Sequence, residues 1–259
     1  MLSLCAAALA VPSTQEVATL DHVIALKQSR PDVGFEDSAT PQITVHGDPI
    51  FRFGKNHNAT RLWLPTGVLK TLLTWEATGG KTLSLVGKTF HPRHNNTHGV
   101  KKTDEWFQQL LITVSDPGRG EGEVRVLDVS ASQEDLGTME IALDDKLMTP
   151  VPGKDTYTSQ EHHKVAFTTS KHRKTGADQL HVQAGGLALS IYISKAAKFT
   201  SEKDQIKFSH LNMKFDGGLP KHCAGVFAEL AGIQPISPKT EKLLQRPKKQ
   251  HTWQDDDIA

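Results

Sequence analysis

Residues 43–54 read ITVHGDPIFRFG and contain two short runs in which apolar and polar residues alternate. Alternation with a period of two is typical of β-strands that have one buried face and one solvated face. Gly47, Asp48 and Pro49 separate the two runs and favour a turn, because Pro presets a turn dihedral and Asp can hydrogen-bond its own backbone. The segment therefore predicts two strands joined by a corner, and it marks the start of a β-rich domain.

The same kind of run recurs along the rest of the chain, and turn signals separate the runs. Gly79-Gly80 and Gly185-Gly186 are examples, since glycine punctuates secondary structure. Many short strands separated by turns predict a mainly β fold, namely an antiparallel sandwich, barrel or stacked-sheet domain. The further runs are TRLWLP, TLLTW, KTLSLVGKTF, WFQQLLITVS, EVRVLDVS, MEIAL, HKVAFTTS, LHVQAG, LALSIYIS and HLNMKFDG.

One run, EVRVLDVS, predicts an irregular strand. Val124, Val126 and Val129 mark its apolar face, but the strict alternation slips at Leu127.

The pattern changes from strand to helix near the C-terminus. In KHCAGVFAELAGIQP, Phe227 and Leu230 have helical spacing, and Gly232 with Pro235 predicts the end of a short helix. The charged tail that follows predicts a surface helix and then a mobile end. Residues 13–42 hold one short helical candidate, EVATLDHVIALKQS. The predicted organisation is a signal peptide over 1–10, an N-terminal extension over 11–42, a β-rich domain over 43–234 and a charged tail over 235–259.

Composition excludes several classes of partner. The chain has 30 basic and 29 acidic residues, so its net charge is +1. Such a charge gives no electrostatic reason to expect binding to a nucleic acid or a charged membrane surface. No apolar run approaches the roughly 18–20 residues that a membrane span requires. We therefore expect neither a nucleic-acid partner nor a membrane span.

The N-terminal segment MLSLCAAALAVPS favours secretion. It is a short apolar run in which Ala8-Leu9-Ala10 fits a cleavage site, although no Lys or Arg precedes it. Sequons at Asn58 and Asn95 agree with an extracellular glycoprotein. Cleavage would remove Cys5 and leave Cys223 without an intrachain partner, which excludes a disulfide scaffold. The alternative is an ordinary apolar N-terminus.

Three segments resemble a family of extracellular modules. VHGDPIFRF is similar to the opening of von Willebrand factor type D modules, and still more to the related C-terminal module of inter-alpha-trypsin inhibitor heavy chains. LSLVGKTFHP, followed by a Lys-rich link, and GGLPKHCAGVFAELAGIQP resemble later segments of that module. The resemblance spans residues 43–234 and implies a β-rich extracellular interaction or matrix module.

The chain also departs from that family. Ile50 stands where the family pattern has His, and the usual cysteines are absent apart from Cys223. The family's hyaluronan-linking aspartate has no matching context here, so that chemistry is not carried over.

The densest group of potential metal ligands lies in KTFHPRHNNTHG. Closely spaced imidazoles suit Zn²⁺ or Cu²⁺, particularly if a carboxylate such as Asp48 or Glu105 completes the set. The spacing matches no established zinc signature, and Pro92 disfavours a ligand-bearing helix. The alternative is therefore a solvated polar loop. The predicted ligands are His91, His94 and His98, with His46 and Asp48 from a neighbouring loop.

Trp63 is a candidate for stacking on a sugar or another ligand. In TRLWLP it lies with Arg61 on the face opposite to Leu62 and Leu64. An aromatic ring on an exposed face can stack on a ligand, but it more often packs beneath a loop or a second layer.

Other catalytic chemistry is weakly indicated. No Gly-x-Ser-x-Gly elbow is present. Cys223 precedes the predicted helix and follows His222, which permits an activated thiol, although a small buried thiol is the preferred interpretation. Carboxylate pairs for glycoside chemistry cannot be selected from sequence. The nominees are Glu76, Glu105, Asp128, Glu140 and Asp216.

Two functions follow from these observations. The first is a secreted β-rich binding or matrix module without catalysis, with an extracellular protein or glycan as ligand. The second is a secreted β-fold hydrolase that uses a histidine-bound metal or paired carboxylates.

Overall fold

The computed structural model describes residues 43–46, 49–53, 58–77, 79–91, 105–116, 121–153, 155–160, 162, 164–171, 176–199 and 205–245. The strands are β1 (Ile43–His46), β2 (Ile50–Phe53), β3 (Asn58–Arg61), β4 (Leu69–Glu76), β5 (Thr82–Phe90), β6 (Trp106–Asp116), β7 (Glu121–Ala131), β8 (Met139–Leu143), β9 (Lys146–Met148), β10 (Thr156–Thr158), β11 (Val165–Lys171), β12 (Asp178–Ala184), β13 (Leu187–Phe199), β14 (Gln205–Phe215) and β15 (Cys223–Ala224). The helices are α1 (Val226–Leu230) and α2 (Pro238–Leu244). The predicted mainly β fold with a short C-terminal helix is confirmed. None of the helices in these ranges is long and apolar enough to cross a membrane.

The strands form one curled antiparallel sheet that is conveniently described as two layers. The eight-stranded layer has the order β10-β11-β12-β13-β14-β1-β2-β3, and the seven-stranded layer has the order β15-β4-β5-β6-β7-β8-β9. β14 joins the layers, because β1 pairs with its residues Met213–Phe215 while Leu211 pairs with Phe107 of β6. The sheet therefore divides along one edge of β14.

Apolar side chains from both layers form a common core. Trp75 on β4 is 1% exposed, and its indole N–H donates to the Ala184 carbonyl of β12 at 3.0 Å. The Phe51 ring lies 5.3 Å from the Phe227 ring, which in turn lies 5.8 Å from the Phe215 ring. Full burial of one such aromatic side chain contributes about 1.5–3 kcal/mol, so these rings fasten β2 and α1 to the core.

The corner that opens the domain has the predicted form. β1 and β2 pair as antiparallel neighbours, and His46 pairs with Ile50, so the two strands form a hairpin. Gly47 and Asp48 themselves lie outside the described residues.

A second predicted turn, at Gly185-Gly186, joins β12 to β13. Ala184 pairs directly with Leu187, and the two glycines have φ of 52° and 93°. A two-residue hairpin of this kind needs positive φ at both central positions, which glycine adopts without steric cost.

The predicted slip in β7 is a β-bulge. Ile112 of β6 pairs with Leu127, but the next residue, Thr113, pairs with Arg125, so Val126 has no direct partner. Val126 and Leu127 consequently both reach the core, at 1% and 0% exposure. The prediction fails for Val124, which is 37% exposed near the start of the strand.

The predicted strand TRLWLP is too long, because β3 ends at Arg61. Its backbone leaves the sheet: Leu62 N–H donates to the Pro49 carbonyl at 2.8 Å, and Trp63 N–H donates to the Leu243 carbonyl at 2.7 Å. The predicted alternation survives nonetheless, since Leu62 and Leu64 are buried.

The first C-terminal helix ends where the sequence predicts, and the second begins at a capping serine. Gly232, with φ of 77°, follows α1, and Ile233 N–H donates to the Ala228 carbonyl at 2.9 Å, which is the Schellman pattern. Ser237 caps α2 by accepting from the Thr240 N–H at 3.3 Å. Leu243 of α2 packs into the common core. The helical candidate EVATLDHVIALKQS lies outside the described residues.

Candidate functional site

The outward side of the eight-stranded layer carries a continuous set of polar side chains. Successive side chains of a strand point to opposite faces, so the residues between the core positions of β11–β14, β1 and β2 share this outer side. The register places Ser190 opposite Lys214 and Lys214 opposite Thr44. We call this set the polar face; it comprises Ser170, His181, Ser190, Tyr192, Ser194, His210, Asn212, Lys214, Thr44, His46 and Arg52.

His46 and Tyr192 meet on the polar face. The Tyr192 hydroxyl lies 3.4 Å from His46 Nδ1. Burial, and then the positive charge of Arg52, lowers the pKa of His46. Burial also raises the pKa of Tyr192. The pair therefore consists of an uncharged imidazole and an uncharged phenol at neutral pH.

His210 lies deeper on the same face and is 5% exposed. Burial, and then the nearby His46, lowers the pKa of His210 to about 4. Its ring centroid lies 4.6 Å from that of Trp106, whose ring also packs 5.1 Å from Phe208. The Nδ1 atom of His210 is buried and has no hydrogen-bond partner among the described residues. His210 is thus a neutral imidazole packed against aromatic rings, with one buried nitrogen that lacks a described hydrogen-bond partner.

Asn212 completes this part of the face. It is 3% exposed, and its amide Nδ2 donates to Ser194 Oγ at 2.9 Å. Strands hold these side chains in place, so little conformational entropy remains to be lost when a ligand binds. The arrangement offers a ligand uncharged hydrogen-bond donors and acceptors beside the aromatic rings.

The predicted metal ligands are only partly within the described ranges. His46 and His91 are described, and His91 follows β5 directly. His94, His98 and Asp48 lie outside, so their convergence on a metal stays a prediction. Across the part of the chain that the structure describes, no group of three or more His, Cys, Asp or Glu side chains could hold a metal.

Glu105 has a structural role in the described contacts. It is 3% exposed, and its carboxylate accepts the Leu64 backbone N–H at 2.8 Å. A buried backbone N–H needs such an acceptor, and Leu64 lies beyond the end of β3, where no strand supplies one.

Trp63 and the two sequons stay predictions. The Arg61 guanidinium lies 4.1 Å from the centroid of the Trp63 ring, so one face of the indole is already occupied. Asn58 is the first residue of β3, and Asn95 lies outside the described residues.

Cys223 agrees with the interpretation as a buried thiol. It is a free cysteine at 5% exposure, and burial raises the pKa of its thiol. The thiolate is the nucleophilic form, so this environment opposes the alternative of an activated cysteine.

The nominated carboxylates are distributed over both layers. Glu76, Asp128 and Glu140 belong to the seven-stranded layer, whereas Asp216 follows β14. Asp128 accepts from Gln109 Nε2 at 2.9 Å. Glu76 and Glu140 are exposed.

Sequence reasoning did not select His210 or Tyr192. The run HLNMKFDG alternates, and this alternation places His210 on the face opposite to Leu211 and Met213. That signal could have marked His210 as outward-facing. Its proximity to His46 depends on the pairing of β14 with β1, and no local sequence pattern predicts that pairing.

Comparison with known proteins gave no relative. No protein-family model, curated protein or solved structure matches the chain.

Proposed function

We propose that this chain is a secreted, β-rich interaction module of the extracellular matrix, and that the polar face is its ligand-binding surface. The observation that carries the proposal is the cluster formed by His46, Tyr192, His210 and Asn212. These side chains are uncharged, are held on strands, and include a buried imidazole nitrogen without a described partner. A core position would require that nitrogen to be satisfied, so a ligand is its natural complement.

The spatial relation of the two terminal motifs supports the same proposal. Phe51 belongs to the GDPIFRF segment and Phe227 to the CAGVFAELAG segment, and their rings are 5.3 Å apart. The segments that carry the resemblance to von Willebrand factor type D-like modules therefore form a single packed unit. Extracellular interaction is the role that this resemblance implies.

The chemistry of the face favours a neutral ligand surface. Imidazole, phenol, amide and hydroxyl groups form hydrogen bonds with sugar hydroxyls or with peptide groups, and aromatic rings pack on apolar ligand faces. We expect an extracellular protein or glycan to bind the cluster of His46, Tyr192, His210 and Asn212 with little dependence on salt, because these four side chains carry no net charge.

Surface plasmon resonance tests the binding function. The full chain is passed over immobilised neutral glycans and, separately, over a reconstituted basement-membrane protein surface. We expect saturable binding to one surface and at least about tenfold weaker binding by Tyr192→Phe or His46→Ala, since each removes a hydrogen-bonding group from the face. Gln109→Ala, on the other layer, is the matched control. Equal binding by all four proteins would refute the polar face as the binding surface.

Expression in a secretory cell line tests the compartment. We expect the chain in the medium without residues 1–10, and a mass decrease after glycosidase treatment that Asn58→Gln or Asn95→Gln reduces. Retention of an intact Met1 in an intracellular chain would contradict secretion and would restore Cys5 as a partner for Cys223.

Elemental analysis addresses the predicted hydrolase. Stoichiometric Zn or Cu in the purified chain, lost when His91 and His94 are both changed to Ala, would replace a purely binding role with a metal-dependent one. Metal that survives both changes would contradict the histidine-loop site.

A further inference from the structure

A chain of hydrogen bonds crosses four strands at one end of the polar face. Ser170 Oγ on β11 lies 3.1 Å from His181 Nε2 on β12. His181 Nδ1 lies 2.9 Å from Ser190 Oγ on β13. Ser190 Oγ in turn donates to Asp216, just after β14. Lys214 Nζ lies 3.3 Å from the other carboxylate oxygen of Asp216.

The carboxylate sets the direction of every bond in this chain. A carboxylate only accepts hydrogen bonds, so Ser190 must give its single hydroxyl proton to Asp216. The Ser190 oxygen then accepts from His181, which places the imidazole proton on Nδ1. In a neutral imidazole protonated at Nδ1, the other nitrogen, Nε2, carries a lone pair, and Ser170 donates to it. The series of hydrogen bonds thus runs from Asp216 through Ser190 to His181, and its last acceptor, Nε2, faces the Ser170 hydroxyl.

We propose that Ser170 is a nucleophilic serine, with His181 as its general base and with Ser190 and Asp216 as residues that position the imidazole. A serine hydroxyl is a weak nucleophile until an adjacent base takes its proton, and the base in turn is oriented by a third group. In this series of hydrogen bonds, Ser190 lies between the His181 imidazole and the Asp216 carboxylate. The corresponding reaction class is transfer of an acyl or phosphonyl group to Ser170.

The burial of Ser170, His181 and Ser190 agrees with these roles, whereas Asp216 is exposed. Ser190 is 2% exposed, so it is inaccessible to a reagent and serves only to connect His181 with Asp216. Ser170 and His181 are half-buried, so the reacting pair is less enclosed than Ser190. Thr168 of β11, which pairs directly with His181, and Gln179, which pairs with Ser170, flank the two groups.

This inference goes beyond the proposed binding function and does not depend on it. A ligand of the His46–Tyr192 cluster could bind whether or not Ser170 reacts. The two proposals therefore fail separately, one in the binding experiment and one in the labelling experiment below.

Labelling with an alkyl fluorophosphonate tests the nucleophile. Ser170 Oγ attacks phosphorus, the P–F bond breaks, fluoride leaves with the bonding pair, and the serine proton passes to His181 Nε2. General bases typically accelerate such steps by about 10²–10⁴. We therefore expect peptide mapping to show Ser170 labelled at least about tenfold faster than Ser194. Ser194 is the control, because it lies on the same face and its hydroxyl oxygen accepts from the Asn212 amide at 2.9 Å. Its cross-strand partner His210 has no hydrogen-bond partner at Nδ1 among the described residues.

Variants of the chain separate chemistry from misfolding. We expect His181→Gln to slow labelling of Ser170 at least about tenfold and Ser170→Ala to abolish it, with labelling of Ser194 unchanged as the sign of an intact fold. Labelling of Ser170 at the Ser194 rate in the native chain, or at the native rate in His181→Gln, would overturn the proposal.

Nitrogen-15 NMR of the histidine-labelled chain tests the positioning residues. It reports the tautomer of His181, which does not depend on the overall stability of the fold. We expect the native chain to hold His181 as the Nδ1–H tautomer. Asp216→Ala frees the Ser190 proton to bond to Nδ1, so we expect the tautomer to shift toward Nε2–H and labelling to slow. A native His181 in the Nε2–H form would contradict the derived proton positions and, with them, the proposed base.

Discussion

The outer faces of the two layers are both polar, but they are built differently. On the seven-stranded layer, Asp128 accepts from Gln109 at 2.9 Å and lies 3.6 Å from Arg125, and the Arg125 side chain is 50% exposed. On the eight-stranded layer, His210 and Asn212 are at most 5% exposed. The first face presents solvated charges, whereas the second buries neutral groups such as His210 and Asn212 beside the charged Arg52 and Lys214.

The comparison of the two faces shows that polarity alone does not distinguish a ligand-binding site from a solvated surface. Removing a polar side chain from water costs free energy unless hydrogen bonds replace the lost contacts. A face that buries neutral polar groups is therefore held in one arrangement, and it should respond strongly to substitution and to pH. A face of solvated charges should respond weakly to both. Four predictions test this contrast, beginning with the largest expected effect.

The acid stability of the chain should depend on His210. The pKa of His210 is lowered from 6.5 to about 4 in the folded state, so between these values only the unfolded chain binds the proton. The free energy of unfolding should accordingly fall as pH drops from about 6.5 to about 4, by about 3 kcal/mol from this group. Urea titrations across this pH window measure the loss.

A matched pair of variants isolates the contribution of His210 from that of the carboxylates. His210→Gln should flatten the acid limb of the stability curve, whereas His222→Gln, at an exposed position, should leave it as in the native chain. Identical limbs in all three proteins would contradict the buried neutral imidazole.

Truncation of Asn212 should have the next largest effect. Asn212→Ala removes the donor to Ser194 at a site that is 3% exposed, and it should lower the free energy of unfolding by about 1–3 kcal/mol. Gln109→Ala on the other face should cost only about 0.5 kcal/mol, because water can replace its contact. Denaturant unfolding measures both variants. Equal losses of the free energy of unfolding in Asn212→Ala and Gln109→Ala would contradict the difference between the two faces.

Removal of the Tyr192 hydroxyl should have a smaller effect. The hydroxyl lies 3.4 Å from His46 Nδ1, which is long for a hydrogen bond, so we expect Tyr192→Phe to cost about 0.5–1 kcal/mol. Tyr157→Phe is the control, since the Tyr157 hydroxyl accepts from the Val151 N–H at an exposed position. A larger loss in the control would place the more important phenol outside the polar face. Thermal unfolding measures both variants.

The exposed ion pair should matter least. Arg125 and Asp128 are 3.6 Å apart, and pairs of this kind contribute about 0–1 kcal/mol. We expect Arg125→Ala to change the free energy of unfolding by less than about 0.5 kcal/mol, with a smaller change still at high salt because ions screen the pair. A decrease of more than about 1 kcal/mol in the free energy of unfolding would contradict the interpretation of this face as a solvated surface.

Much of the fold was predictable because its signals are local. The GDP corner, the Gly185-Gly186 turn and the bulge at Leu127 each follow from residues that are neighbours in sequence. The end of α1 at Gly232 is similarly local, since the left-handed conformation there suits glycine. Local chemistry does not predict that the strand in TRLWLP ends at Arg61. The backbone N–H groups that follow donate to Pro49 and Leu243, which lie elsewhere in the sequence.

The candidate site was predictable only in part. His46 could be nominated because it lies beside the corner, but the proposed metal partners His94 and His98 lie outside the described residues. The structure instead places His46 beside Tyr192 and His210, which are more than a hundred residues away along the chain. The Ser170–His181–Ser190–Asp216 series likewise depends on strand pairing, since its residues come from three adjacent strands and from the end of β14.

The sequence by itself determined that this chain forms many short strands with one apolar face, where most of them turn, and where α1 ends. These properties depend on side-chain periodicity and turn chemistry within a few residues. Only the tertiary structure decided that β14 pairs with β13, β1 and β6 together. That pairing sets which outward residues become neighbours, because strand register is a long-range property that burial of the common core selects.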